Sequence, residues 1–283
     1  MNFSNILSAI AEVDPEVFER TSARRPIIRK WMKGAALTAI PLALGGLFNK
    51  AYGKKTDAIS DILNFALTLE YLERDFYQLA LNASIGSPAA NDPLIPPGLD
   101  QQAIIEIGGH ELKHVRFLIQ TLTSMGVTPI SKPTFDFTAN NTFPNIFSDY
   151  PTFLAVAQVF EDTGVRAYKG AMPLLVGNSL LTTALQIHST EGRHAAHIRT
   201  TRRDTPSNLN TGTITPWVVG VQTNISGSIG VSSYIGEDNT LQNNIQITGI
   251  NGLQITEDAA TASFDEPLDA TSVTAIIAPF IVP

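Results

Sequence analysis

Two segments of this chain carry the same four-residue pattern, Glu111-Leu112-Lys113-His114 and Glu191-Gly192-Arg193-His194. A separation of three residues puts carboxylate and imidazole on one helical face, one turn apart, where both can reach a single cation. With twelve glutamates and five histidines in the chain, about 0.2 such matches arise by chance. Two copies inside helical patterns constrain the fold strongly.

Apolar residues spaced by three and four mark four amphipathic helices, near 57–82, 99–125, 150–172 and 177–203. The first connection, Ser84 to Gly98, holds four prolines, the second runs from Gly126 to about Asp149, and the third is a few residues around Pro173 and Gly177. A long second connection can carry the chain from one end of a bundle to the other. The expected fold is therefore mainly α, a four-helix bundle with one long crossover over residues 56–203.

A dinuclear site in such a bundle takes one further Glu from each remaining helix. Glu161 serves the third helix. For the first, the chain offers Glu70 and Glu73, and comparison of its two halves decides between them. Setting Leu69-Glu70-Tyr71 against Phe160-Glu161-Asp162 also sets Tyr77 against Tyr168, and leaves Glu73 opposite Gly164. The expected ligands are thus Glu70, Glu111, His114, Glu161, Glu191 and His194, with Glu73 behind them. Tyr77 and Tyr168 would donate hydrogen bonds to ligands or supply electrons, or else pack as ordinary core aromatics. His110 and His188 would support the site from outside it, with His197 more distant. The duller reading of each acidic residue is a surface ion pair, and of each histidine a hydrogen-bonded helix residue.

The absence of cysteine removes thiolate zinc and iron–sulfur chemistry, so any metal must bind through carboxylate and imidazole. That donor set suits two iron or two manganese ions. A net charge of −7 argues against nucleic acid as a partner.

The flanks differ from the bundle. Residues 1–55 hold nine basic residues and an apolar run, Ala35 to Phe48, that is too short for a transmembrane span. With Arg24-Arg25 upstream and Ala51-Tyr52-Gly53 as a small-residue cleavage site, the run is similar to a twin-arginine export signal, which would place the protein in the periplasm or cell envelope. The alternative is a retained helical extension on a cytoplasmic protein. All nineteen Lys and Arg lie at or before Arg203, whereas residues 204–283 are acidic and alternate in short runs such as Asn224 to Ile229 and Asn244 to Ile247. This extension is expected to be rich in strands and loops, with a short helix near Ser272 to Ile281. It would lie against the bundle or join a second copy into a homo-oligomer.

Three stretches carry a family resemblance: Leu67-Thr68-Leu69-Glu70-Tyr71-Leu72-Glu73, Phe160 to Tyr168, and Glu191-Gly192-Arg193-His194-Ala195-Ala196-His197. They resemble the ferritin-like proteins grouped with plant desiccation-related and fungal stress-response proteins. Phe135-Asp136-Phe137-Thr138, Thr142-Phe143-Pro144 and Phe264-Asp265-Glu266-Pro267-Leu268 are similar to bacterial members. The resemblance implies a ferritin-like fold and does not supply an activity. One expectation is a redox protein acting on dioxygen or hydrogen peroxide, as ferroxidases and manganese catalases do. Another is a non-enzymatic envelope or stress protein with a structural or vestigial metal site, and a third is iron storage in a shell.

Overall fold

A computed structural model describes residues 58–85 and 93–283, Ser228 apart. The four expected helices are present: α1 (Ala58–Ile85), α2 (Leu99–Ser124), α3 (Tyr150–Ala171) and α4 (Leu180–Asp204). They pack as two close pairs, α1 with α2 and α3 with α4, with α1 also meeting α3 and α2 meeting α4. The segment with the export-like run and its cleavage site lies outside the described residues. Among the described residues no helix is long and apolar enough to cross a membrane.

Sequence spacing explains how α1 serves two partners. Leu63, Leu67 and Tyr71 recur every fourth residue and pack on Val115, Leu118 and Leu122 of α2. Leu72, Phe76 and Ala80 form a second stripe in the main core. There Phe76 stacks on Phe153 with ring centres 4.9 Å apart and meets Phe160 edge-on at 5.1 Å. Glu70, Glu73 and Tyr77 lie between the two stripes and are buried with them.

The start of α3 is fixed locally. Asp149 caps it by accepting from the Thr152 amide at 2.9 Å, and Pro151 suits the first turn, where no amide bond is lost. From Phe153 to Tyr168 every residue of α3 is buried, polar ones included. A two-by-two bundle covers only part of a helix, so something else must cover its outer face.

The acidic extension does this. Three buried arginines on α3 and α4 hold it. Arg166 donates to the carbonyls of Glu266 (2.7 Å), Ile235 (2.9 Å) and Ser233, and pairs with Glu237 at 2.7 Å. Arg199 grips Asp162, which also accepts from the Tyr234 hydroxyl. Arg202 donates to Gln158, and to Asn210 and the Asn224 carbonyl at 3.0 Å. Gly170 permits the closest approach, since a Cβ there would stand 1.9 Å from the Leu268 carbonyl oxygen.

Last in the extension comes α5 (Ala270–Ile277), capped by Asp269, followed by a 3-10 turn at Ala278–Phe280. Val273, Ile276, Ile277, Phe280 and Ile281 enter the main core. The α2–α3 crossover meets them there, because the Asp136 amide donates to the Phe280 carbonyl and the Val282 amide to the Thr134 carbonyl, both at 2.9 Å. Phe280 packs edge-on against Phe160 at 4.9 Å. Phe280→Ala is expected to cost about 3–5 kcal/mol, typical of a core aromatic truncation, read as a lowered urea midpoint with an unchanged slope.

Regular strand in the extension is limited, among the described residues, to a two-residue pair, β1 (Leu241–Gln242) with β2 (Ile245–Gln246), and isolated bridges such as Asn210 with Ile225. The alternating runs in the sequence suggest more. Asn224, Asn243 and Asn244 adopt positive φ, which interrupts a ladder after one or two residues.

Candidate metal centre

Each helix contributes to a buried polar cluster at the bundle centre: Glu70 from α1, Glu111 and His114 from α2, Glu161 from α3, and Glu191 and His194 from α4. The four glutamates are fully buried, and His194 is nearly so. Their donor atoms fall into two groups, Glu70 with Glu111, His114 and Glu191, and Glu111 with Glu161, Glu191 and His194. Within each group the ligand atoms lie no more than 4.8 Å apart. Glu111 and Glu191 belong to both.

The two shared carboxylates divide their oxygens between the groups. His114 Nδ1 stands 3.1 Å from Glu111 Oε2, 3.2 Å from Glu191 Oε1 and 3.2 Å from Glu70 Oε2. His194 Nδ1 stands 2.9 Å from Glu111 Oε1, 3.5 Å from Glu161 Oε2 and 3.6 Å from Glu191 Oε2. Several of these atoms have no aligned hydrogen bond: Glu111 Oε1, Glu161 Oε2, both Glu191 oxygens and His194 Nδ1. Buried acceptors left unpaired are costly, and cations between them would satisfy them all. The residues therefore fit a pair of metal ions.

The tyrosines cross between halves. Tyr77 of α1 donates to Glu161 Oε1 of α3, and Tyr168 of α3 donates to Glu70 Oε1 of α1. Each bond takes the oxygen of its glutamate that does not face the histidine, and so fixes that carboxylate's rotation. Each tyrosine thus donates to a ligand glutamate, the one on the other helix rather than the one seven residues earlier on its own. Burial, and then the adjacent carboxylate charge, hold both hydroxyls well above the usual phenol range.

The outer histidines separate. His110 Nδ1 lies 2.9 Å from His194 Nε2, which leaves His194 Nδ1 to face the carboxylates. His188 instead lies 3.0 Å from the Val165 carbonyl, and His197 lies 3.5 Å from the Thr201 hydroxyl. Neither contacts a ligand residue in these bonds. Sequence reasoning missed the residues that brace α3 and α4 beside the site, Asp162, Arg166, Arg199 and Arg202. Two of them, Asp162 and Arg166, stand inside the Phe160 to Tyr168 stretch that carries the family resemblance.

The acidic cluster has defined proton affinities. Burial pushes Glu161 up to about 7, against the pull of His194. Burial and neighbouring carboxylates also raise Glu73 and Glu111 well above the carboxylate range. Burial acts the same way on Glu191, but His114 and His194 outweigh it and hold that group at about 2. For the histidines, burial favours the neutral ring, yet the surrounding carboxylates win and raise both.

The sign for stability follows. Groups raised in the folded state bind more protons there than in the unfolded chain, so stability is full below the unfolded values and falls as pH rises. For Glu161 the loss spans roughly pH 4.5 to 7, and the histidines add to it above about 6.5. Glu191 changes only below 4.5. The metal-free protein is therefore expected to melt lower at pH 8 than at pH 5. Metal displaces these protons, so the rise in melting temperature on metal addition should grow over the same range. Calorimetry with and without metal checks both trends.

A helical bundle with two donor groups that share two carboxylates defines a class: dinuclear carboxylate-bundle proteins, with which this site is compatible. The family model of the ferritin-like domain matches residues 58–204, just over half the chain, and the chain belongs to that family. A search of curated proteins found no match.

Proposed function

We propose that the chain is a dinuclear iron or manganese protein, redox-active toward dioxygen or hydrogen peroxide in the manner of a ferroxidase or catalase. The carrying observation is the convergence of two buried Glu/His groups on two shared carboxylates, three of whose four oxygens have no hydrogen bond. In this reading Glu111 and Glu191 would help to hold both ions. Glu70 and His114 complete one position, Glu161 and His194 the other. Two such ions supply paired one-electron steps, which reduction of dioxygen or turnover of peroxide requires.

The protein's own part is positioning. Tyr77 and Tyr168 fix the terminal carboxylates, His110 fixes His194, and the bundle excludes bulk water. An apolar pocket lined by residues including Ile62, Leu63, Leu69, Leu118 and Ala184 reaches Tyr168. Its lining suits dioxygen better than a hydrogen-bonding peroxide. The large apolar residues of the terminal helix are already used in this bundle's own core.

We further infer export to the periplasm or envelope from the twin-arginine-like segment; an intact N-terminus in cell-derived protein would contradict it. Membership of the desiccation-related group within the family belongs to the same proposal. The reaction itself is tested with protein loaded separately with iron and manganese, by following dioxygen consumption and peroxide breakdown. Turnover is expected with at least one metal and should fall at least about 100-fold in Glu161→Ala, which removes a ligand rather than an outer partner. Undiminished turnover in that variant would refute the site.

A further inference from the structure

The four ligand glutamates, two histidines and two tyrosines of the centre match between its halves, but one buried carboxylate has no counterpart. Glu73 lies one turn beyond Glu70 on α1, and the position that corresponds to it on α3 is Gly164. The structure brings these two together. A Cβ at Gly164 would stand 3.0 Å from Glu73 Oε1 and 3.6 Å from Glu191 Oε2. The missing side chain of α3 is therefore the space that the Glu73 carboxylate uses, on the side of the shared Glu191 oxygen that serves His194.

Glu73 is only 3% exposed, as deeply placed as the ligands themselves. Its carboxylate makes no hydrogen bond among the described residues, and it belongs to neither donor group in this arrangement. A fifth carboxylate buried beside four others is costly if it serves only packing, since an apolar side chain of that size would fill the space without the penalty. Charge gives it a use. The four ligand glutamates balance two divalent ions but not two trivalent ones, and one more carboxylate takes up part of the remainder.

We propose that Glu73 is a seventh protein ligand, reserved for the ion held by Glu161 and His194, which its side chain reaches by rotating over Gly164. The proposal rests on the dinuclear reading above. It makes the centre unequal: one ion has Glu70 and His114 as terminal ligands, the other Glu161, His194 and Glu73. The flexible Glu side chain can enter and leave without moving α1.

The test is anaerobic calorimetric titration of the full chain with Mn2+, for the natural protein, Glu73→Gln and Gly164→Ala. Melting of each metal-free variant shows that it is folded. The natural protein should take two ions. Glu73→Gln, which keeps the side chain's shape, should weaken one ion at least tenfold and leave the other within about twofold. Gly164→Ala keeps every carboxylate but fills the space over which Glu73 turns, and should weaken the same ion. In crystals of the manganese-loaded protein a Glu73 oxygen should contact the ion beside His194. Two ions bound to Glu73→Gln with unchanged affinities would overturn the role of Glu73 while leaving the dinuclear site intact. A natural protein that binds no Mn2+ would overturn both.

Discussion

Replacing Glu191 with alanine is expected to abolish binding of both metal ions, a larger effect than loss of any terminal ligand. Glu191 faces His114 with one oxygen at 3.2 Å and His194 with the other at 3.6 Å. Loss of an outer partner of a metal ligand costs about 10–100-fold in affinity, and loss of a shared ligand must cost more at each position. In the natural protein, free metal at a thousand times Kd adds about 4 kcal/mol per ion to stability. For a chain of this size that corresponds to a melting shift of roughly 10 °C or more. In Glu191→Ala the shift should disappear. A variant that still melts higher with metal would show that the shared carboxylate is not shared.

The second large effect lies away from the metals. Asp162 holds the buried Arg199 at 3.0–3.1 Å from Nε and accepts from the Tyr234 hydroxyl of the extension. Arg199 is 1% exposed, and its charge is held by Asp162 despite the opposing effect of burial. Asp162→Ala strands that charge and removes the acceptor for Tyr234, and is expected to cost about 3–5 kcal/mol. The combined variant Asp162→Leu with Arg199→Met should recover most of the loss, because what destabilises is the unpaired ion rather than the missing pair. Chemical denaturation of the single and double variants measures both. A single variant within about 0.5 kcal/mol of the natural protein would contradict the anchoring role.

These two residues also mark where sequence reasoning reached and where it stopped. The Glu-x-x-His motifs are local: spacing alone puts each pair on one face, so their helices and their convergence were readable. Glu70 was distinguishable from Glu73 because the chain's two halves align, and the donor groups include Glu70 and leave Glu73 out. The extension was expected against the bundle or a partner, but the residues that anchor it were not readable. Arg166, Arg199 and Arg202 look like solvent-facing helix residues, yet Arg166 donates to the carbonyls of Ser233, Ile235 and Glu266, Arg202 to that of Asn224, and Arg199 to Asp162. Carbonyls carry no sequence identity, so nothing in the residue pattern announces them.

The tyrosines were readable as donors to ligands, but not to which ligand. Helical spacing sets which face Tyr77 and Tyr168 occupy but not which neighbouring helix each reaches, and both reach across α1 and α3 rather than along their own helix. The mix of short strands and loops in the extension was readable from its alternating runs; the asparagines whose positive φ interrupts each ladder set how short the strands are.

The central claim is that two ions lie side by side among four glutamates and two histidines. Anomalous scattering from crystals of iron- or manganese-loaded protein, recorded on both sides of the metal edge, tests it directly. The account requires two peaks per chain, one beside Glu70 and His114, one beside Glu161 and His194, with Glu111 and Glu191 reaching both. A single peak, or none at the bundle centre in protein shown to carry metal, would contradict it.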